Sequence, residues 1–222
     1  MPAFDISLLP SHPDLSFELP LWRSGLTAVA GIDEAGRGAL AGPVAAAAII
    51  LPAETKILAK LRGVNDSKQL TALQRQAARD KILCYAITWG VGFASSQEID
   101  QAGIVPATRL AVRRALAALS ISPEHLLIDY LHLPEVTTPQ TALVKGDCRS
   151  LSIAAASILA KTSRDAVLCE LELAYPGYGF ASHKGYGTRA HRNAIRNLGP
   201  CLIHRLSFDL LGEAGESVDV DS

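Results

Sequence analysis

Asp33 and Glu34 stand side by side in "GIDEAGRGALAGPV", residues 31–44, at the mouth of a glycine-rich turn that leads into a long apolar run. Two further acids occupy unusual places. Asp129 ends the apolar stretch of "HLLIDY", and Asp165 lies on a long helical segment, seven and eleven residues after Ile158 and Ala154 and so on their face. Burial disfavours an ionised carboxylate. Strand-end acids of α/β sheets commonly face the ligand crevice, so the four together point to one acidic cluster. Like charges raise one another's pKa, and a divalent cation relieves the repulsion. All four are hard oxygen ligands, and no Cys/His set has zinc spacing, which favours Mg2+ or Mn2+ over Zn2+. Two such ions suit phosphodiester hydrolysis, one activating water and the other stabilising the leaving oxygen.

Each acid alone has a plain structural alternative. Asp33 can pair with a lysine, Asp129 can cap a turn, and Asp165 can bridge to Lys161 or Arg164. Only the coincidence of all four favours a metal site. Strand alternation sets a condition on it. Asp33 and Glu34 should point to opposite faces, so they share a site only if the chain leaves strand geometry near Glu34.

The elements that must hold these acids follow from apolar patterning. Residues 1–26 contain four prolines and no clear period, and read as an irregular lead-in. "TAVAGIDE" and "PVAAAAIIL" read as strands, "NDSKQLTALQRQAARDKILCY" as a helix capped near Ser67 or Thr71, and "AITWGVGFA" as a third strand. "SSQEIDQAG" is a short helix closed by Gly103, and "VPATRLAVRRALAAL" an amphipathic one. "HLLIDY" and "TALVKGD" are strands. "SLSIAAASILAKTSRDAVLCELEL" is a long helix, buried at its start, and "TRAHRNAIRNLG" a last helix. Strands first, then strands alternating with helices, imply an α/β domain with a mixed sheet over residues 27–209. Residues 210–222 form an acidic tail expected to be disordered.

At 222 residues and 49% hydrophobic, the chain can bury a sizeable core. It shows neither an apolar run of transmembrane length nor a signal-peptide pattern, so no membrane partner is expected. Its four cysteines form no metal-type pair and read as reduced thiols of a cytoplasmic protein. Net charge is −1, but the stretch between Glu172 and Asp209 has no acid. It carries Lys184, Arg189, Arg192, Arg196 and Arg205 with His183, His191 and His204. Arg189, Arg192 and Arg196 can form one helical stripe, either a phosphate-binding face or a solvated one.

"GRGALAGP" lacks the Gly-Lys-Ser/Thr ending of a P-loop and the G-x-G-x-x-G spacing. Its glycines still let backbone N–H groups approach a phosphate or a 2′-hydroxyl. Lys68 in "DSKQLT" is a phosphate candidate beside a helix cap. His183 and Lys184 are candidates for the scissile phosphate, or are simply exposed. Lys145-Gly146-Asp147 offers a further acid outside the four, and "AAAS" is close helix–sheet packing.

"GIDEAGRGALAGPVAAAAIIL", "NDSKQLT", "LLIDY", "KGDCRSLSIAAASILAKTSRD" and "SHKGYGT" followed by "HRLSF" resemble ribonuclease HII, the bacterial type 2 ribonuclease H, over roughly residues 28–209. The resemblance implies a ribonuclease H-like fold, a central mixed five-stranded sheet flanked by helices. It implies hydrolysis of RNA in RNA–DNA hybrids and incision 5′ of ribonucleotides embedded in duplex DNA, leaving 3′-hydroxyl and 5′-phosphate ends. It places the family's catalytic, metal-binding carboxylates on Asp33, Glu34, Asp129 and Asp165. The ribonucleotide-sensing Gly-Arg-Gly falls on Gly36, Arg37 and Gly38, and the junction-reading tyrosine on Tyr186. Tyr130 stands where the family has a small residue, usually Gly. The large N-terminal substrate-binding domain of ribonuclease HIII is lacking. A monomer acting on nucleic acid is expected. The competing readings are a catalytically silent nucleic-acid binder and another two-metal nuclease on the same fold.

Overall fold

The computed structural model describes residues 9–212. In chain order it contains α1 (Glu18–Arg23), β1 (Val29–Ala35), β2 (Val44–Ile50), α2 (Ile57–Lys60) and α3 (Ala72–Tyr85). Then follow β3 (Thr88–Ala94), α4 (Ser96–Ala102), α5 (Ile104–Ala117), β4 (His125–Asp129) and β5 (Gln140–Leu143). The last helices are α6 (Leu151–Ala174), α7 (Phe180–His183) and α8 (Arg189–Leu198). The sheet has five strands in the order β3-β2-β1-β4-β5. β1 pairs antiparallel with β2, and β2 with β3, while β1–β4 and β4–β5 are parallel. This is the mixed five-stranded sheet expected of the ribonuclease H-like fold.

Both faces are covered. Ala47, Ile49 and Leu51 pack with Ile82 of α3 and Ala155 and Ile158 of α6. Ala46, Ala48 and Ile50 pack on the other side with Ala111, Val112 and Ala115 of α5. β2 is therefore buried along its whole length. That is why its sequence shows an unbroken apolar run rather than alternation. Small side chains on α6, from Ala154 to Ser157, are at most 2% exposed and let the helix lie close on the sheet.

α3 begins at a capping box. Thr71 Oγ1 accepts from Gln74 N, and the Gln74 side chain accepts from Thr71 N. Ser67, the other cap candidate, instead starts a short 3-10 turn, and its N–H donates to Ser157 Oγ of α6.

The lead-in differs from its expectation. α1 is a helix, Leu15 joins the core, and the fully buried Glu18 accepts from Ser150 Oγ (2.6 Å) and Ser152 N (2.9 Å) at the start of α6. Six residues are too few to show a period, and this helix exists through its tertiary contacts. No helix among the described residues is long and apolar enough to cross a membrane. The expected disorder of the tail concerns mainly residues 213–222, which lie outside the described residues.

Candidate active site

The parallel β1–β4 register ends at Ile32 opposite Ile128. Asp33 and Asp129 are the next residue on each strand. By alternation they fall on the side of Val29 and Leu127, which cluster with Ile153 of α6. β5 then leads into a 3-10 turn, Gly146–Cys148, whose Gly146 N–H donates to Asp129 Oδ1 at 2.7 Å. That bond brings in Asp147. One oxygen each of Asp33, Asp129 and Asp147 lies within 4.8 Å of the others, and Asp66, Asp147 and Cys148 form a second such group.

An open cleft of about 340 Å³ lies over these groups. Its acids are Glu34, Asp66, Asp129 and Asp147, its cations Arg37, Lys68 and Lys145, and Tyr130 and Val144 complete the wall. β1 keeps strand geometry through Ala35, so the condition set on Glu34 is not met. Glu34 lines the cleft all the same, because β4 no longer pairs with β1 beyond Ile32 and leaves that flank of the strand end open. Its Oε1 accepts from Arg37 Nη1 at 3.1 Å, and its buried Oε2 has no partner among the described residues.

The electrostatics are those of crowded acids. Burial, then Glu34, Asp129 and Asp147, hold the Asp33 carboxyl well above its usual range. Burial also raises Asp129, against the Gly146 hydrogen bond, and raises Glu34 against Arg37. Asp147 is pushed up to about 6 by burial and by Asp129 and Asp66. Burial pulls Lys68 down, yet Asp66, Asp147, Asp33 and Asp129 outweigh it and the ammonium is raised. The donor set fits hard divalent cations. It is all oxygen, its charges repel, and Asp147 Oδ1, like Glu34 Oε2, is buried without a hydrogen-bond partner among the described residues.

Asp165 does not join this cluster. It pairs with Lys161 Nζ at 2.9 Å, the structural alternative open to it from the start. The reason lies in the course of α6. Gly31 abuts Ser152 and Gly36 abuts Arg164, so the helix runs alongside β1 and carries Asp165 past the strand end. The acid that fills the place is Asp147, the further acid outside the four. Its signal was "KGD" just after the last strand, opposite the strand-end Asp129.

The two glycine loops are brought together. Leu40 N and Ala41 N both donate to Gly185 O, at 2.8 and 3.2 Å, tying the Gly36–Gly38 turn to the Tyr186 loop. The Tyr186 ring, partly exposed, lies 5.5 Å from Lys161 Nζ and 5.3 Å from the Arg164 guanidinium. The basic candidates are placed less freely than expected. His183 is half-buried. Its Nδ1 accepts from Gly185 N and its Nε2 bonds Tyr178 O, so both ring nitrogens hold the loop and neither is left for a phosphate. Lys184 Nζ donates to Ala181 O. Arg192 and Arg196 donate to Asp209 O and Leu211 O and pin the C-terminal segment, while Arg189 is exposed at the start of α8.

The family model described as Ribonuclease HII matches residues 30–211. The ribonuclease HII of Chloroflexus aurantiacus is 52% identical over 91% of this chain and 96% of its own length, and that of Moorella thermoacetica 50% identical over 87% and 92%. Among solved structures, ribonuclease H2 from Pyrococcus horikoshii is similar with a TM-score of 0.66 at 27% identity, covering 82% of this chain and 94% of that one. RNase HII of Archaeoglobus fulgidus, solved in a complex with PCNA, matches in fold with a TM-score of 0.71 at 24% identity, covering 86% and 98%. The strand-end acids, the paired glycine loops and these matches agree: the chain belongs to the ribonuclease HII family.

Proposed function

We propose that Asp33, Glu34, Asp129 and Asp147 hold two divalent ions, Mg2+ or Mn2+, and that the cleft beside them cuts the RNA strand at phosphodiester bonds. As a ribonuclease HII the chain is a hydrolase of RNA in RNA–DNA hybrids. The finer reading adds incision 5′ of a ribonucleotide embedded in duplex DNA, leaving 3′-hydroxyl and 5′-phosphate ends. The observation that carries it is the group of Asp33, Asp129 and Asp147 oxygens within 4.8 Å of one another.

When bound, such ions supply a nucleophile at neutral pH and charge stabilisation for the leaving oxygen. The chain's own groups do the rest. The Gly146 amide fixes the Asp129 carboxylate, and Lys68 and Arg37 offset part of the negative charge that would repel a phosphate. Backbone amides of the Gly36–Gly38 turn face the ribose 2′-hydroxyl, the one group that separates RNA from DNA at a single residue. Tyr186 packs on the sugar of the following nucleotide. The enzyme acts as a monomer in the cytoplasm, a placement supported by its four unpaired cysteines.

Duplex DNA carrying one ribonucleotide, incubated with Mg2+ or Mn2+, tests the reading. A nick 5′ of the ribonucleotide that vanishes in EDTA is expected. Binding without cleavage would make the chain a binder, and cleavage blind to the ribose would make it another two-metal nuclease.

A further inference from the structure

Two guanidinium groups lie fully buried with no carboxylate to receive them: Arg164 on α6 and Arg205 in the C-terminal segment. Neither takes part in a salt bridge among the described residues. A buried cation is costly unless its hydrogen bonds are met. Here backbone carbonyls meet them. Arg205 Nη2 donates to Gly36 O (2.7 Å) and Gly42 O (3.0 Å), Nη1 to Arg37 O (2.8 Å) and Nε to Gly42 O (3.1 Å). Arg164 likewise holds the carbonyls of Ala41, Pro43 and Lys184.

Peptide geometry gives this clamp a consequence. In a trans peptide the carbonyl of one residue and the amide of the next point in opposite directions, and no peptide bond among the described residues is cis. Drawing the Gly36 and Arg37 carbonyls inward therefore turns the Arg37 and Gly38 amides outward. Neither amide has a hydrogen-bond partner among the described residues. The turn presents two donors and no acceptor from these two peptides. Gly36 itself must be glycine: φ is +89° and a Cβ would lie 1.9 Å from Arg164 Nε.

We infer that Arg205 is a positioning residue for ribose recognition, which orients the Arg37 and Gly38 amides toward the 2′-hydroxyl oxygen by holding the carbonyls behind them. The inference rests on the ribonuclease HII reading and names the side chain that sets its sugar selectivity. The guanidinium spreads its donors over Nε, Nη1 and Nη2 in one fixed plane, whereas a lysine ammonium donates from a single point and would not hold the three carbonyls in the same arrangement.

The test compares wild type with Arg205→Lys. Affinity is measured in EDTA, where no cleavage occurs, for duplex DNA with one ribonucleotide and for the same duplex without it. Thermal melting monitors the fold. Wild type should prefer the ribonucleotide duplex at least tenfold. Arg205→Lys should cut that preference to under threefold while the all-DNA affinity stays within twofold. A folded Arg205→Lys protein with the wild-type preference, or one that weakens on both duplexes alike, overturns the inference. A wild type without preference overturns the proposed function instead. If Arg205→Lys does not fold, Asp100→Ala takes its place. Asp100 accepts from Leu206 N, Ser207 N and Ser207 Oγ and anchors the turn that carries Arg205. Its loss should lower the preference at least threefold, and an unchanged preference again overturns the inference.

Discussion

The Asp129 carboxylate accepts a 2.7 Å hydrogen bond from the Gly146 amide, and this bond sets Asp147 beside Asp129. A Cβ at Gly146 would lie 2.7 Å from Ile153 Cδ1 and 3.3 Å from Asp129 Oδ1, so a larger residue there would have to push these neighbours aside. The pair joins the end of β4 to the turn after β5, and with Asp33 it forms the acidic centre.

Asp147 and Asp165 can be told apart by mutation. Asp147→Asn should abolish cleavage of a single-ribonucleotide duplex, as should Asp129→Asn. Asp165→Asn should retain activity within about tenfold, since its loss breaks an ion pair with Lys161 rather than a metal ligand. Without metal, Asp147→Asn should melt a few degrees higher, because relieving like-charge repulsion by about 1 kcal/mol moves Tm by roughly 2–4 °C in a domain of this size. An active Asp147→Asn protein would remove it from the centre.

Tyr186 is held by the loop that meets the Gly36–Gly38 turn. Tyr186→Ala should lose about tenfold or more kcat/KM on a lone ribonucleotide in DNA, in line with aromatic stacking of roughly 1–3 kcal/mol. The loss on a long RNA–DNA hybrid should be much smaller, and Tyr186→Phe should lose less on both. Equal losses on the two substrates would reduce Tyr186 to general binding.

The basic stripe splits in two. Arg189→Ala should flatten the salt dependence of substrate binding by about one unit of slope. Arg192→Ala with Arg196→Ala should change it by less than one unit together, and should instead speed amide exchange in residues 209–212, where those side chains hold the Asp209 and Leu211 carbonyls. A double variant that flattens the slope by about two units would restore both arginines to phosphate binding.

A histidine chain supports the Tyr186 loop. Cys201 N donates to His204 Nδ1, which leaves the His204 proton on Nε2, facing His191 Nε2 at 3.1 Å. His191 Nδ1 then donates to Tyr186 O at 2.9 Å. Burial lowers His191 to about 4, so the folded protein holds it neutral. An unfolded histidine titrates near 6.5. Between those values the unfolded chain binds more protons, so this contribution is complete above about pH 6.5 and is lost as pH falls toward 4. It amounts to something on the order of 3 kcal/mol. The raised acids of the cleft act with the opposite sign, so the difference in Tm between wild type and His191→Gln across pH 4–7 isolates it. A flat difference would show that His191 does not titrate in this way.

Tyr130 occupies the left-handed region at φ +52° and is 71% exposed in the cleft wall. A side chain there costs roughly 1–2 kcal/mol. Tyr130→Gly should raise Tm by about 1–3 °C, the gain reduced by the entropy that glycine loses on folding. A lower Tm would mean that the ring's contacts outweigh the strain.

Patterns that act over a few residues were legible from the chain alone. Apolar runs marked the five strands, Thr71 offered its cap, and Asp33 and Asp129 stood at strand ends, where alternation and the crevice rule put ligand-facing acids. The motif blocks marked the two glycine loops. Tertiary structure decided which acid completes the centre. Sequence spacing put Asp165 on the inner face of a 24-residue helix but could not say where along it the strand ends fall. The packing of α6 along β1 sets that, and the turn after β5 supplies Asp147. α1 was hidden because six residues show no period and its buried Glu18 finds its partners more than a hundred residues away. The role of Arg205 was hidden for the same reason: its acceptors are carbonyls up to 169 residues distant, and only the fold brings them within reach of one guanidinium.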